Sequence, residues 1–273
     1  MGRALWLPDK LRTFGLVVHE VDGWQTRGSS VFYPRGVVCH HTASHAGANA
    51  PALGICTNGR PDLAGPLCNV LLARNGDCYV VASGRANHAG TGGFRGLTGN
   101  TSVLGIEAEN NGVGEPWPAA QIDAYLRLCA AMCEGGGFNA STVCYHREWA
   151  PSRKIDPAGP GIPQDGNEWR ARVAATHASP PPLTDAQKAL IFLNAKKKAG
   201  VLPELGKGHH RRPHRNAVRK LQQLLGLART GVYGTATRAK VKGVQTFLGL
   251  PVTGIVDQET WAWIIYAALT KGR

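Results

Sequence analysis

The last third of the chain contains an ungapped internal repeat with a period of 23 residues. Residues 221–227 (LQQLLGL) superpose on residues 244–250 (VQTFLGL), and the register continues from the Thr-Gly pair at 230–231 to the pair at 253–254. A repeat unit of this size cannot bury its apolar face alone, whereas two stacked units can. The repeat therefore predicts a small all-α module.

The helix ends within each copy are marked by residue type. Gly226 and Gly249 follow the apolar helical positions and predict left-handed C-caps, a conformation that glycine adopts without steric cost. Thr235 and Asp257 precede the next helix of each copy, and their side chains are predicted to cap it.

A proline-rich segment separates this module from the rest of the chain. Residues 176–183 (THASPPPL) contain three consecutive prolines, which favour a stiff, extended spacer. The sequence therefore predicts a first domain over residues 1–175, a linker over 176–183 and a helical domain over 184–273.

Almost all of the net positive charge lies in the helical domain. The 273 residues carry a formal net charge of +13 at pH 7, and residues 184–273 contain 16 lysines and arginines against 4 acidic residues, a net charge of +12. Such a basic block predicts a polyanionic partner, which could be a nucleic acid, an anionic membrane or the acidic polymers of a cell envelope.

Short apolar runs alternate with glycine-rich turns in the first domain, which is the pattern of strands. A longer stretch, 121–134, has apolar residues at helical spacing, and a further helix is predicted over 165–175. Together these elements predict an α/β or α+β domain. The predicted strands are 36–40, 70–73, 79–82 and 103–108.

Composition also argues against several classes of protein. No apolar run approaches the length of a membrane span. The first ten residues contain no sustained apolar stretch, so we expect no signal peptide and a protein held in the cytoplasm until another factor releases it. Seven cysteines, an odd number without a CxxC pair, predict buried thiols instead of a disulfide framework.

Three separated clusters of polar residues in the first domain carry the candidate chemistry. His40 ends an apolar strand, and Glu107 is followed two residues later by a second glutamate, which places both carboxylates on one face of a strand. In the third cluster, His146 is followed by Lys154 and Asp156.

These residue types suit a catalytic zinc site, which has three protein ligands and one open position for water. His40, His146 and Asp156 would supply two imidazoles and a carboxylate, and the metal would lower the pKa of its water. Glu107 would accept a proton and return it to a leaving amine. Lys154 would place positive charge beside the oxyanion that forms when a carbonyl is attacked.

Two alternatives for the ligand set stay open at this point. His41 could replace His40, although only one of them can bind, because neighbours on a strand point to opposite faces. Cys144 lies two residues before His146 and on the same face of an extended segment, so its thiolate is an alternative ligand. Cys39 is offset from His40 by one residue and faces the other way.

The motifs HHTA (40–43), GIEAEN (105–110) and H-x7-K-x-D-P (146–157), in this order, resemble the type 2 N-acetylmuramoyl-L-alanine amidases over residues 31–173. The resemblance implies a central mixed β-sheet flanked by helices, with a Zn2+ ion in a groove on one side. By this resemblance the metal ligands are His40, His146 and Asp156, and the catalytic residues are Glu107 and Lys154.

The resemblance also indicates candidate substrate-binding residues. The family often carries an H-x-G motif near the groove, and residues 87–90 (NHAG) are similar, so His88 is either a substrate contact or a structural residue. Asn69 is a second candidate for substrate binding. Some relatives have a catalytic tyrosine immediately before this strand, where the present chain has Cys68, so assistance to the oxyanion would have to come from Lys154 or elsewhere.

Residues 216–264 resemble the widespread helical peptidoglycan-binding domain, whose usual sequence carries LQ…LG…G.YG..T. The resemblance implies binding to bacterial peptidoglycan, and the positive charge would suit anionic cell-envelope polymers. Nucleic acid is not an expected partner, because the spacing of the aromatic residues suits helix packing better than base stacking.

The two resemblances together imply hydrolysis of the amide bond between N-acetylmuramic acid and L-alanine by a monomeric enzyme. A catalytic and a wall-binding module joined by a linker, without a signal peptide, resemble a phage endolysin that lyses the host. The alternatives are a peptidoglycan receptor that has lost hydrolysis and a nucleic-acid-binding protein that uses the basic helical domain.

Overall fold

The computed structural model describes residues 2–178, 192, 195–196, 199–200, 202–206 and 214–270. The chain divides into two compact units, residues 1–183 and residues 184–273. Among the described residues, no helix combines the length and the apolarity that a membrane crossing requires.

The described residues of the first unit form five α-helices and ten short strands. The helices are α1 (Leu7–Thr13), α2 (Leu53–Asn58), α3 (Ala119–Gly136), α4 (His146–Trp149) and α5 (Gly166–Ala178). The strands are β1 (Val18–Glu20), β2 (Val37–His41), β3 (Gly59–Arg60), β4 (Leu63–Ala64), β5 (Val70–Leu72), β6 (Cys78–Val80), β7 (Gly93–Phe94), β8 (Leu97–Thr98), β9 (Leu104–Ala108) and β10 (Val143–Tyr145).

Six strands form one sheet in the order β1-β6-β5-β9-β2-β10. All neighbouring pairs are parallel except β5 and β6, which are antiparallel. The central sheet is therefore mixed, and helices pack against it, which confirms the fold class expected from the sequence. The remaining strands form two small hairpins, β3-β4 and β7-β8.

Side chains alternate between the two faces of the central strands. Val37 and Cys39 of β2 point into the main core, together with Leu104 and Ile106 of β9 and the buried side of α3. Because the alternation has a period of two, His40, Gly105 and Glu107 lie on the opposite face, which α3 does not cover. This opposite face carries the polar clusters.

The strands predicted from the sequence are all present, with boundaries that differ by one or two residues. The predicted linker is wrong at its beginning, because residues 176–178 continue α5 and form its last turn. The remaining linker residues, 179–183, lie outside the described part of the chain.

The second unit contains α6 (Arg215–Leu224), α7 (Thr235–Phe247) and α8 (Gln258–Thr270) within its described residues. Gly226 and Gly249 have φ values of +69° and +67°, which confirms the two left-handed C-caps. A helix expected from the sequence around residues 185–199 lies largely outside the described residues.

The two predicted N-caps have different outcomes. Asp257 caps α8, since its Oδ1 accepts a hydrogen bond from the Thr260 N–H at 2.8 Å. The prediction for Thr235 is wrong, because this residue is already the first helical residue and the preceding Gly234 provides no side-chain cap.

A buried glutamine organises each copy of the repeat in the same way. Gln222 accepts a hydrogen bond from Gly231 N–H at 2.9 Å and donates to the hydroxyls of Thr230 and Thr237. Twenty-three residues later, Gln245 forms the equivalent bonds with Gly254, Thr253 and Thr260. The sequence repeat is thus a repeat of one hydrogen-bonding unit that ties a helix end to the following turn.

Candidate active site

The strand register brings the three polar clusters of the sequence together. His40 pairs with Glu107 across the parallel strands β2 and β9. Strand β10 lies on the other side of β2 and pairs Tyr145 with Cys39, so that His146, the next residue, begins α4 beside His40. The loop after α4 returns Asp156 to the same place.

His40, His146 and Asp156 form a buried cluster with the geometry of a metal site. The Nδ1 atoms of the two histidines are 2.8 Å apart, and Oδ2 of Asp156 lies 3.1 Å from Nδ1 of His40 and 3.0 Å from Nδ1 of His146. Ligands of a tetrahedral zinc ion at about 2.0–2.1 Å would be roughly 3.3 Å apart. The ligand atoms of the three residues predicted from the sequence therefore lie at nearly the separation that a bound zinc ion requires.

The outer nitrogens of the two imidazoles fix where their protons lie. Nε2 of His146 is 3.1 Å from the carbonyl oxygen of Ala89, which can only accept, so this nitrogen carries the proton. His88 faces the carbonyl oxygen of Val103 with its own Nε2, at 3.3 Å, so its Nδ1 is an acceptor for Nε2–H of His40 at 3.0 Å.

With their Nε2–H groups directed at outer acceptors, His40 and His146 turn Nδ1 toward each other and toward a carboxylate oxygen. In the neutral form of both rings, these three atoms at 2.8–3.1 Å are all acceptors and would repel one another unless a cation binds them. Burial lowers the pKa of His40 to about 4, so its imidazole is neutral at physiological pH, the form that binds a metal. The chemistry of the donor set thus fits a divalent metal ion.

Glu107 lies beside the cluster as a carboxylate without a strong partner. Its Oε1 is 4.0 Å from Nδ1 of His40, and its buried Oε2 has no hydrogen-bond partner among the described residues. Burial raises the pKa of Glu107 well above its usual range, and the positive charge of Lys154 opposes this effect only in part. A raised pKa makes a carboxylate a stronger proton acceptor, which suits a general base that later returns the proton.

An open groove of about 680 Å³ gives access to the cluster. The five residues that the resemblance assigned to metal binding and catalysis all line it, Lys154 included. The other residues that line the groove include mostly small and apolar side chains from the segment 42–56, together with Arg60 and Leu63 of the β3-β4 hairpin. The groove thus offers space for a substrate beside the candidate ligands.

The alternative ligands are not part of the cluster. His41 is half-buried and accepts a hydrogen bond from Ala158 N–H at its Nδ1, 3.1 Å away. Cys144 is buried in an apolar cluster with Val38 and Trp149, and burial raises the pKa of its thiol. All seven cysteines are buried and free, which confirms the prediction of buried thiols.

Asn69, a candidate for substrate binding in the sequence, has a structural environment and does not line the groove. Its side chain is completely buried, and its amide group donates to the carbonyl oxygens of Ala82 and Gly84 and accepts from Gly105 N–H. Asn69 therefore holds three backbone segments together, and both N–H bonds of its amide are used within the protein. Cys68, in the position of the tyrosine of some relatives, is buried, and burial raises the pKa of its thiol.

Two further residues, Glu109 and Arg147, support the site, and neither was assigned a role from the sequence. Glu109, which is completely buried, accepts hydrogen bonds from the hydroxyls of Thr42 and Ser44 and from Ala52 N–H at 2.8 Å, and so holds one wall of the groove. Arg147 binds the loop that carries Asp156.

The contacts of Arg147 explain how that loop is held. Its backbone N–H donates to the carbonyl oxygen of Asp156 at 2.9 Å, and its guanidinium donates to the carbonyl oxygens of Pro157 and Gln164. The only sequence signal for this role of Arg147 was its position directly after His146. Its acceptors are backbone carbonyl groups, which every residue type has.

Two histidines, an aspartate and a glutamate in one open groove are the residue types of a metal-dependent hydrolase. Residues 30–159 match the family model described as N-acetylmuramoyl-L-alanine amidase, and residues 214–264 match the model described as "Putative peptidoglycan binding domain". The chain therefore consists of an N-acetylmuramoyl-L-alanine amidase domain followed by a peptidoglycan-binding domain, which confirms both resemblances.

Several solved structures are distantly similar to this chain. The endolysin N-acetylmuramoyl-L-alanine amidase LysCS from Clostridium intestinale is 20% identical, with 57% of this chain and 94% of that chain covered and a TM-score of 0.43. The amidase AmiD from E. coli, in complex with anhydro-N-acetylmuramic acid-L-Ala-D-gamma-Glu-L-Lys, is 22% identical, with 89% and 92% covered and a TM-score of 0.41. A mutant endolysin from Bacillus subtilis is 18% identical, with 58% and 99% covered and a TM-score of 0.44.

Similarities this distant carry no inference about function. No curated protein matches the chain.

Proposed function

We propose that the first unit is a zinc-dependent hydrolase that cleaves the amide bond between N-acetylmuramic acid and L-alanine in peptidoglycan. The observation that carries this proposal is the convergence of three potential ligand atoms, on His40, His146 and Asp156, next to Glu107, whose buried Oε2 has no hydrogen-bond partner among the described residues. A zinc ion bound there would supply a Lewis acid for the attacked carbonyl and for water.

The side chains of the groove provide the remaining chemistry. Glu107 takes a proton from the attacking water and delivers it to the leaving nitrogen, a role that its raised pKa favours. Lys154 places its ammonium charge near the oxygen on which negative charge develops. No tyrosine is needed for this step, which is consistent with Cys68 at the position where some relatives have one.

A pair of variants separates metal binding from proton transfer. His146→Ala should lose both zinc and activity, because it removes one of three ligands. Glu107→Gln should keep zinc and lose about 10²- to 10⁴-fold in rate, the usual contribution of a general base. Zinc is measured by elemental analysis after dialysis, and activity by the free amine released from purified peptidoglycan.

Matched surface variants control for nonspecific damage. His19→Ala and Glu134→Gln change an exposed histidine and an exposed glutamate whose ion pairs lie on the surface, and both should retain zinc and activity. Wild-type protein that binds zinc and releases no amine would identify a receptor instead of an enzyme. Loss of zinc from Glu107→Gln would make Glu107 a ligand and contradict the assigned role.

We further propose that the second unit holds the enzyme at the cell wall and that the whole protein acts as a phage endolysin. A tethered binding module raises the local concentration of the catalytic unit at its substrate, and the charge of +12 over residues 184–273 suits anionic envelope polymers as additional partners. Release from the host cytoplasm stays a prediction from the sequence.

Removal of residues 184–273 tests the division of labour. The shortened chain should hydrolyse soluble peptidoglycan fragments at the rate of the full chain and lyse whole cells more slowly. Equal losses on both substrates would contradict separate catalytic and binding roles. Binding of the second unit to DNA in moderate salt, without binding to cell wall, would instead support the nucleic-acid alternative.

A further inference from the structure

One short loop provides the outer hydrogen-bond partners of both histidines in the candidate metal cluster. His88 accepts from Nε2 of His40, and the next residue, Ala89, accepts from Nε2 of His146 through its carbonyl oxygen. The two ligands come from different elements, and the loop joins them at the side away from the metal position.

The loop is itself fixed by side chains from two other segments. The Oδ1 atom of Asn100 accepts from the N–H groups of His88 and Ala89, at 3.2 and 2.8 Å. Arg153 donates from Nη2 to the carbonyl oxygen of Ala89 at 2.8 Å and also to that of Thr91. The loop is therefore anchored at consecutive backbone groups.

The imidazole of His88 is held in one orientation. Its Nε2 lies 3.3 Å from the carbonyl oxygen of Val103. Its ring packs against Gly105, where an added Cβ atom would come within 2.5 Å of the ring. The absence of a side chain at Gly105, in the middle of β9, thus makes room for His88, and the bond to Val103 leaves Nδ1 of His88 without a proton.

We propose that His88 is a positioning residue, which fixes the tautomer and the ring orientation of His40 for metal binding, and that it is not a substrate contact. The proposal rests on the proposed function, because it assigns to His40 the role of a zinc ligand. An outer partner that holds the far nitrogen of a ligand histidine typically contributes 10- to 100-fold to metal affinity. Ala89 does the same for His146 through its backbone.

Substitutions at His88 test whether the acceptor or only the shape of the side chain matters. His88→Leu keeps a side chain of similar length and removes the acceptor, and we expect zinc affinity to fall about 10- to 100-fold in competition with a chromophoric chelator. His88→Asn can place its amide oxygen where Nδ1 lies, so it should restore most of that affinity. His45→Leu, which alters another histidine of the same groove without contact to the ligands, should leave zinc affinity unchanged.

A second measurement reports on His40 directly. In zinc-loaded wild-type protein, the ¹⁵N spectrum of His40 should show a proton on Nε2, and His88→Leu should weaken or broaden that signal. A substrate contact would behave differently: His88→Leu would then raise KM while zinc affinity and the His40 signal stayed those of the wild type. That result would overturn the proposal.

Gly105→Ala changes the other partner of the contact between the His88 ring and β9. It provides a second test if His88→Leu does not fold. The new methyl group should displace the His88 ring and lower zinc affinity. In a chain that also carries His88→Ala, Gly105→Ala should have little further effect, because the ring is absent. Additive losses in the double variant would contradict the proposed contact. A wild-type chain that neither binds zinc nor releases amine would refute the proposed function itself, whereas normal zinc binding by His88→Leu would refute only the role of His88.

Discussion

Replacement of Gln222 by methionine should destabilise the peptidoglycan-binding unit strongly, although the two side chains have similar length. Gln222 is almost completely buried and uses both atoms of its amide group. Its Oε1 accepts from Gly231 N–H at 2.9 Å, and its Nε2 donates to Thr230, Val232 and Thr237. Methionine cannot replace any of these bonds.

The loss of stability in Gln222→Met depends on which hydrogen-bond partners of Gln222 have no other partner. The carbonyl oxygen of Val232 also accepts from Gly234 N–H, so it stays partly satisfied. Gly231 N–H is buried and depends on Gln222, and an unsatisfied buried donor costs about 1–3 kcal/mol. We therefore expect the free energy of unfolding to fall by about 2 kcal/mol, which corresponds to a decrease in Tm of roughly 8–16 °C for a unit of this size.

Differential scanning calorimetry of the full chain measures this effect, with Gln223→Met as the matched control. Gln223 is the neighbouring residue on α6 and is exposed, so its substitution should change stability by less than about 0.5 kcal/mol. Gln245→Met should cost about as much as Gln222→Met, because the second copy repeats the bonds of the first. If Gln222→Met is no worse than Gln223→Met, the buried amide does not organise the repeat.

Three further substitutions test the first unit. Asn69→Ala should lower its thermal stability by about 2 kcal/mol or more and leave KM unchanged in steady-state kinetics; a raised KM at unchanged stability would reinstate Asn69 as a substrate contact. Glu109→Gln should accelerate hydrogen exchange over residues 44–52 and raise KM more than it lowers kcat, whereas unchanged exchange would show that the groove wall does not depend on this carboxylate. Arg147→Met should weaken zinc binding about tenfold by releasing the loop of Asp156; unchanged affinity, measured by chelator competition, would show that the loop is held without it.

The ligand set could be predicted because its residues are few, chemically distinctive and tied to strand ends. His40 and Glu107 occupy adjacent strands in register, and the alternation of side chains placed both on the open face. The sequence alone left His41 and Cys144 as alternative ligands, because residue type does not show which side of a strand end the groove occupies. The tertiary structure excludes both from the ligand cluster.

The residues that support the ligands could not be predicted in the same way. Asn69 and His88 are polar residues near the groove, and in the sequence they look alike as substrate contacts. Asn69 differs only because its partners are backbone groups of Ala82, Gly84 and Gly105, which carry no signature in residue type. The role of such residues depends on tertiary contacts, and these are formed between segments whose spacing in the sequence is not constrained.

Glu107 should lower the stability of the native state at neutral pH, and the pH dependence of the free energy of unfolding measures this effect. Burial raises its pKa above the ordinary value of 4.5, so in metal-free protein the native state keeps this carboxyl protonated at pH values where the unfolded chain has already ionised. Its favourable contribution to folding is therefore complete below about pH 4.5 and is lost as the pH rises through the native pKa. Glu107→Gln, which cannot ionise, should equal the wild type in stability near pH 4 and exceed it increasingly toward neutral pH, while it loses activity. The comparison requires thermal melts of both proteins in chelator across this pH range. A constant difference would mean that folding leaves the pKa of Glu107 unchanged, and a wild type that gains on the variant as the pH rises would mean that the native state stabilises its carboxylate. Either result would contradict the raised pKa that favours Glu107 as the proton acceptor.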